Sequence, residues 1–185
     1  LQNLRLLGNV RNSANRLGEQ VDTLRNLQQI EAQISAAQDE QSLLTQSVEA
    51  LATLLQADHC GIVLLDPGQN VGTVVSEYPA PGAVGVQVTV AGNPLYDFIN
   101  HESYEPVVID DIETSPILDD ENRAFLRSVG TKAMIIIPLV VHDRAIGSIG
   151  VDLFNSAKTI SPTMIDLAQT VASQIPIALQ NRRLV

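Results

Sequence analysis

Lys132–Asn155, KAMIIIPLVVHDRAIGSIGVDLFN, is the stretch that decides the fold. Ala133 to Val141 is apolar at almost every position, as expected of a strand buried on both faces. His142-Asp143-Arg144 reads as a tight turn, and Ile146 to Phe154 as the returning strand. In the second strand Ile149, Val151 and Leu153 point one way, and Ser148, Gly150 and Asp152 the other. A central hairpin with one greasy face and one roomier, slightly polar face predicts a sheet with helices behind and a cavity in front.

Upstream of the hairpin, the chain opens with a long proline-free helix, residues 1–37, carrying Leu6, Val10, Leu17, Leu24 and Leu27 on one stripe and Ile30 and Ile34 in a shifted phase. That seam is too narrow for a globular core and predicts a two-stranded coiled coil, with a solitary linker helix as the alternative. Gly8 and Gly18 weaken it by about 1 kcal/mol each relative to alanine. Residues 38–185 form the domain proper. A second helix, capped by Asp39 or Ser42, presents Leu43, Leu44, Val48, Leu51 and Leu55, and two strands follow at His59–Asp66 and Val71–Tyr78. Val84 to Val90 alternates like an edge strand. Asn93-Pro94 starts a short helix, Pro106 to Ile109 is a short strand, and Asp119 to Ser128 is a helix stopped by Gly130. Ser161-Pro162 opens the last helix, with Met164, Ala168, Val171, Ile175 and Leu179 as its buried stripe and Pro176 as an expected kink. Hairpins flanked by helices at both ends predict an α+β domain built on an antiparallel sheet of about six strands.

The net charge of −10 argues against non-specific binding to nucleic acid or anionic lipid. No apolar run approaches the ~20 residues that cross a bilayer, so no membrane contact is expected. A single cysteine, Cys60, rules out an intrachain disulfide and a cysteine-based metal cluster, and a reducing cytoplasmic setting is the expectation. The opening in mid-helix pattern is what a fragment of a longer protein would show.

Three stretches together resemble the GAF domain family of small-molecule sensor modules. They are Ile34-Ser35 through Leu43-Leu44 to Ala57-Asp58-His59-Cys60-Gly61-Ile62-Val63-Leu64-Leu65-Asp66; Val107-Val108-Ile109-Asp110-Asp111; and Gly130-Thr131-Lys132 through Pro138-Leu139 to Ile146-Gly147-Ser148-Ile149-Gly150-Val151, followed by the closing helix. The resemblance spans about Leu27 to Arg183. It implies a regulatory module rather than an enzyme, with terminal helices packed on one face of the sheet and short helices roofing a cavity on the other. It further implies a place in a multidomain bacterial signalling protein, such as a sensor histidine kinase, and a homodimer acting through the N- and C-terminal helices. Two alternatives remain: a ligand-free dimerisation or spacer domain, and a cyclic-nucleotide-binding domain.

Specific chemistries of that family fit poorly. Bilin-binding members attach their chromophore through a cysteine in or beside the helix before the central hairpin, and Asp119 to Ser128 has none. The cyclic-nucleotide pattern is present only as residue types out of order, Asp119-Asp120-Glu121 and Phe125. Methionine sulfoxide reduction on this fold needs several cysteines. His59, His101 and His142 lack ligand spacing, and the acidic residues Asp110, Asp111, Asp119, Asp120 and Glu121 read as a solvated loop. No catalytic residue, metal or cofactor is therefore expected. Tyr96, Ile99, Phe125, Leu126 and Val129 are expected to face the sheet from the roof. Met134, Ile136, Ser148, Gly150 and Asp152 are expected on the floor. Mostly apolar with a few polar points, this set reads equally as a small-molecule site and as a closed core.

Overall fold

The computed structural model describes residues 2–101, 104–155 and 158–183. In chain order the elements are α1 (Gln2–Ala36), α2 (Glu40–Leu55), β1 (His59–Leu65), β2 (Val71–Tyr78), β3 (Gln87–Thr89), a 3-10 turn (Pro94–Tyr96), α3 (Phe98–His101), β4 (Val107–Ile109), α4 (Asp120–Val129), β5 (Ala133–Val141), β6 (Arg144–Leu153) and α5 (Pro162–Arg183). The strands form one antiparallel sheet in the order β3-β2-β1-β6-β5-β4.

Local chemistry sets the boundaries. Asp39 is extended and its carboxylate accepts the Ser42 amide at 2.7 Å, satisfying a free donor at the start of α2. Asp119 does the same for Asn122 at the start of α4, and Gly130 at φ 89° ends that helix, a conformation that costs glycine little. The central turn is tighter than the sequence suggests. His142 and Asp143 both have positive φ, and Arg144 already pairs with Val141, giving a two-residue hairpin turn whose twist suits antiparallel strands. The third strand is shorter than its alternation predicts: Gly85 at φ 90° lies in a turn, leaving Gln87–Thr89 in the ladder.

The hairpin register divides the core in two. Ile135, Ile137, Leu139, Ile149 and Val151 face α1, α2 and α5 together with Cys60, Ile62, Leu43, Leu51, Val171 and Ile175. Met134, Ile136 and Ala145 face the opposite layer, formed by the segment between β3 and β4 and by Leu118 and Leu126. Ile146 is unpaired between the Leu139–Gly147 and Val140–Ala145 pairs. This bulge shifts the alternation, so that Ala145 joins the second cluster while Gly147 stays behind the sheet. α5 runs through Pro176, which is buried, to Arg183 without interruption. The last third of α1 belongs to the domain core, with Ile30 and Ile34 buried. Farther up, Leu17, Val21 and Leu24 are exposed, and the side chains of Leu6 and Val10 lie outside the described residues.

Two glycines of β6 give opposite expectations. A Cβ at Gly147 would run into the backbone of Val63 and Leu64, whereas one at Gly150 meets only the Gly61 carbonyl, at 4.0 Å. Gly147→Ala should lower unfolding stability by about 1–3 kcal/mol in urea titration, and Gly150→Ala should be neutral or stabilising; equal losses at both sites would contradict the register.

Candidate functional site

Strand alternation carries Met134 and Ile136 of β5 and Ser148 of β6 to the same face of the sheet. Opposite them stand Tyr96 from the 3-10 turn, Leu126 from α4 and, at the edge, Ile99 from α3. The Asn93 side chain accepts the Leu95 amide and starts the turn that delivers Tyr96. The ring of Tyr96 packs tilted against Phe98, with centroids 6.0 Å apart. Its hydroxyl pairs with that of Ser148. Burial pushes the Tyr96 phenol above its ordinary pKa of 10, and the hydrogen bond with Ser148 partly opposes that shift. Met134, Ile136, Tyr96, Leu126 and Ser148 are all buried, so roof and floor meet as packed side chains.

The roof is braced by polar contacts. Arg123 donates to the carbonyls of Ile112, Ser115 and Leu118, fixing the loop before α4, and Asn122 Nδ2 donates to Asn93 Oδ1 at 3.1 Å, joining α4 to the 3-10 turn. Two of the predicted roof residues lie elsewhere. Phe125 is 61 % exposed and Val129 48 %, because the helix directs Leu126 inward, about 100° around the axis from Phe125.

Asp152 also departs from its expected role. It shares the roof-side face with Ser148 and Gly150, but its carboxylate is engaged: Oδ2 lies 2.8 Å from His59 Nδ1, and Oδ1 accepts the Thr131 hydroxyl at 3.3 Å. The other ring nitrogen of His59 lies 3.3 Å from Glu77 Oε1, whose second oxygen accepts the Ala83 amide at 2.6 Å. This histidine between two carboxylates was missed in the sequence. Its only signal is a histidine opening β1 at the position that, once β1 is placed beside β6, lies opposite Asp152.

Cys60 is wholly buried on the helix side, where desolvation pushes its thiol strongly upward and keeps it protonated. His142 is exposed in the hairpin turn, and the side chain of His101 lies outside the described residues. Among the described residues no group of three or more His, Cys, Asp or Glu is placed to hold a metal ion, and no helix is long and apolar enough to cross a membrane. In the acidic loop, Asp111 accepts the Glu113 amide and Glu113 pairs with Arg127. An open groove of about 600 Å³ lies on the helix side, lined by Ile34, Asp39, Gln174 and Ile177 among others.

A sequence model described as GAF domain matches residues 39–179. No curated protein sequence matches the chain. Among solved structures, the chain is similar to the GAF domain of a phosphoenolpyruvate-protein phosphotransferase from Coxiella burnetii, at 18 % identity and a TM-score of 0.76 over 89 % of this chain and 96 % of that one. It is similar to the phycoerythrobilin-bound GAF domain of a cyanobacterial phytochrome, at 18 % identity and a TM-score of 0.74 over 89 % and 98 % of the two chains. A third similar structure is residues 122 to 287 of a methyl-accepting chemotaxis protein, at 22 % identity and a TM-score of 0.71 over 84 % and 97 %.

The buried Tyr96–Ser148 pair is testable by a double-mutant cycle. Tyr96→Phe and Ser148→Ala should each cost about 1–2 kcal/mol, and the double variant should cost less than their sum. Strict additivity in urea unfolding would show that the two hydroxyls do not interact.

Proposed function

This chain belongs to the GAF domain family, and we propose that it serves a multidomain signalling protein as a regulatory relay that responds to a small molecule on one face of its sheet and passes the response to its terminal helices. One observation carries the reading. Neighbouring residues of β5 and β6 alternate between the two clusters, Met134, Ile136 and Ser148 toward the roof and Ile135, Ile137, Ile149 and Val151 toward α1, α2 and α5. A ligand entering above Ser148 and Gly150 must displace the packed roof, and displacement there loads the same two strands on which the helices rest. At Gly150 a Cβ would meet only the Gly61 carbonyl, at 4.0 Å, so the sheet floor is least filled there.

The output side favours a homodimer. Between residues 11 and 26 α1 is largely exposed, with Leu17, Val21 and Leu24 at four- and three-residue steps. A projecting helix that carries Gly18 in its interior gains little stability by itself, and an apolar stripe at three- and four-residue steps suits a second copy of the same helix. A histidine kinase joined beyond α5 is the output we favour, with the domain itself non-catalytic and cytoplasmic. The second reading, a spacer domain with no ligand, is favoured by the closed packing of Tyr96, Leu126, Met134, Ile136 and Ser148.

Light scattering at micromolar concentration should give twice the 19.9 kDa chain mass, and Leu17→Asp with Leu24→Asp should give the monomer mass without loss of the domain's thermal transition. A monomeric wild-type chain would remove the dimeric part of the proposal. Native mass spectrometry of protein from its own host separates the two readings: a retained small molecule, lost from Gly150→Leu, supports sensing, and the bare chain mass supports the spacer.

A further inference from the structure

The contact of His59 with Asp152 and Glu77 bridges three strands. His59 opens β1, Asp152 lies directly opposite it on β6, and Glu77 lies on β2, beside Gly61 in the ladder. Both ring nitrogens face carboxylate oxygens, at 2.8 and 3.3 Å. A neutral imidazole has one N–H and can satisfy one of these contacts, leaving a lone pair against the other carboxylate; the imidazolium donates to both. The cluster is largely withdrawn from water, with Asp152 and Glu77 side chains 13 % and 10 % exposed and that of His59 26 %.

The cluster also sits at a structural corner. The carbonyl of Asp152 accepts the amide of Asp58, two residues beyond the C-cap of α2. Asp58 Oδ2 accepts the Phe154 amide at 2.9 Å, and Lys158, on the approach to α5, donates to the carbonyl of Gln56 at 2.9 Å and to Asp58 at 3.3 Å. The end of α2, the start of β1, the end of β6 and the approach to α5 are thus joined by hydrogen bonds that lead to the partner of His59.

We propose that His59, Glu77 and Asp152 form a proton-responsive latch, closed when His59 is protonated, whose opening loosens the corner from which α2 and α5 leave the sheet. Glu77 from β2 and Asp152 from β6 are the charged groups that act on His59; Thr131, next to β5, and the Ala83 amide complete the polar surroundings without carrying charge. The hydrogen bond to Asp152 raises the His59 pKa above its ordinary 6.5, burial opposes the rise, and the charges of Asp152 and Glu77 add to it. The sign follows: because the folded value is the higher one, the latch contributes its full stability below pH 6.5 and loses it as pH rises through the folded value. The direction is therefore opening on alkalinisation. It is independent of any ligand under the roof.

The test is an NMR titration of the 185-residue chain, following the His59 ring carbons and the amides of Asp58 and Phe154 between pH 5 and 9. His59 should titrate with a midpoint above 6.5, the two amides should shift with that same midpoint, and Asp152→Asn should lower it. Glu77→Gln, which keeps the Asp152 contact, should lower it less and serves as the second variant should Asp152→Asn fold poorly. In urea titrations the wild-type midpoint should fall from pH 6 to pH 9 by more than that of His59→Gln. A His59 midpoint at or below 6.5, a midpoint unmoved by both carboxylate variants, or amides that do not follow the ring would overturn the proposal.

Discussion

The two-residue turn at His142 and Asp143 fixes the register of β5 against β6, and the rest of the domain depends on that register. Side chains alternate at every residue of a strand, so a slip of one position would exchange the two faces of the sheet. With Val141 opposite Arg144 and the bulge at Ile146, Ile137 falls beside Ile149 and Ile135 beside Val151, while Ile136 pairs with Gly150 and Met134 with Asp152. The first set anchors α2 and α5; the second meets the roof. Gly147 holds this arrangement against β1, where its missing Cβ lets the backbone of Val63 and Leu64 approach.

The register also places polar groups where each has a partner. Ser148 meets Tyr96, and Asp152 meets His59 and Thr131. Among the described residues no buried side-chain nitrogen or oxygen lacks a hydrogen bond. The sheet therefore carries two separate polar devices on one face: a neutral hydroxyl pair under the roof and a charged histidine cluster at the corner. They differ in what can disturb them. Displacement of the roof acts on the first, and proton activity on the second.

Much of this was legible in the sequence. The alternation from Ile146 to Phe154 and the unbroken apolar run from Ala133 gave the hairpin and its two faces, and Asp39, Asn93-Pro94, Asp119 and Gly130 marked helix ends through chemistry that needs no tertiary contact. Tyr96, Leu126, Met134, Ile136 and Ser148 come together as that pattern required. Phe125 was misplaced because α4 is short and its apolar residues span a wide arc; its rotation is fixed by tertiary contacts such as those of Arg123 to the carbonyls of Ile112, Ser115 and Leu118, and backbone carbonyls leave no trace in sequence. The His59–Asp152 contact joins residues 93 positions apart. It depends on β1 lying between β2 and β6, an order that local pattern does not encode.

The proposed relay requires roof and helices to be mechanically joined through β5 and β6. Hydrogen exchange on the chain carrying Tyr96→Ala, compared with wild type, tests it most directly. Faster exchange is expected at the roof, in β6 from Ser148 to Val151, and in α5 from Ala168 to Leu179. Faster exchange confined to residues 94–101 and 120–129, with α5 unchanged, would contradict it.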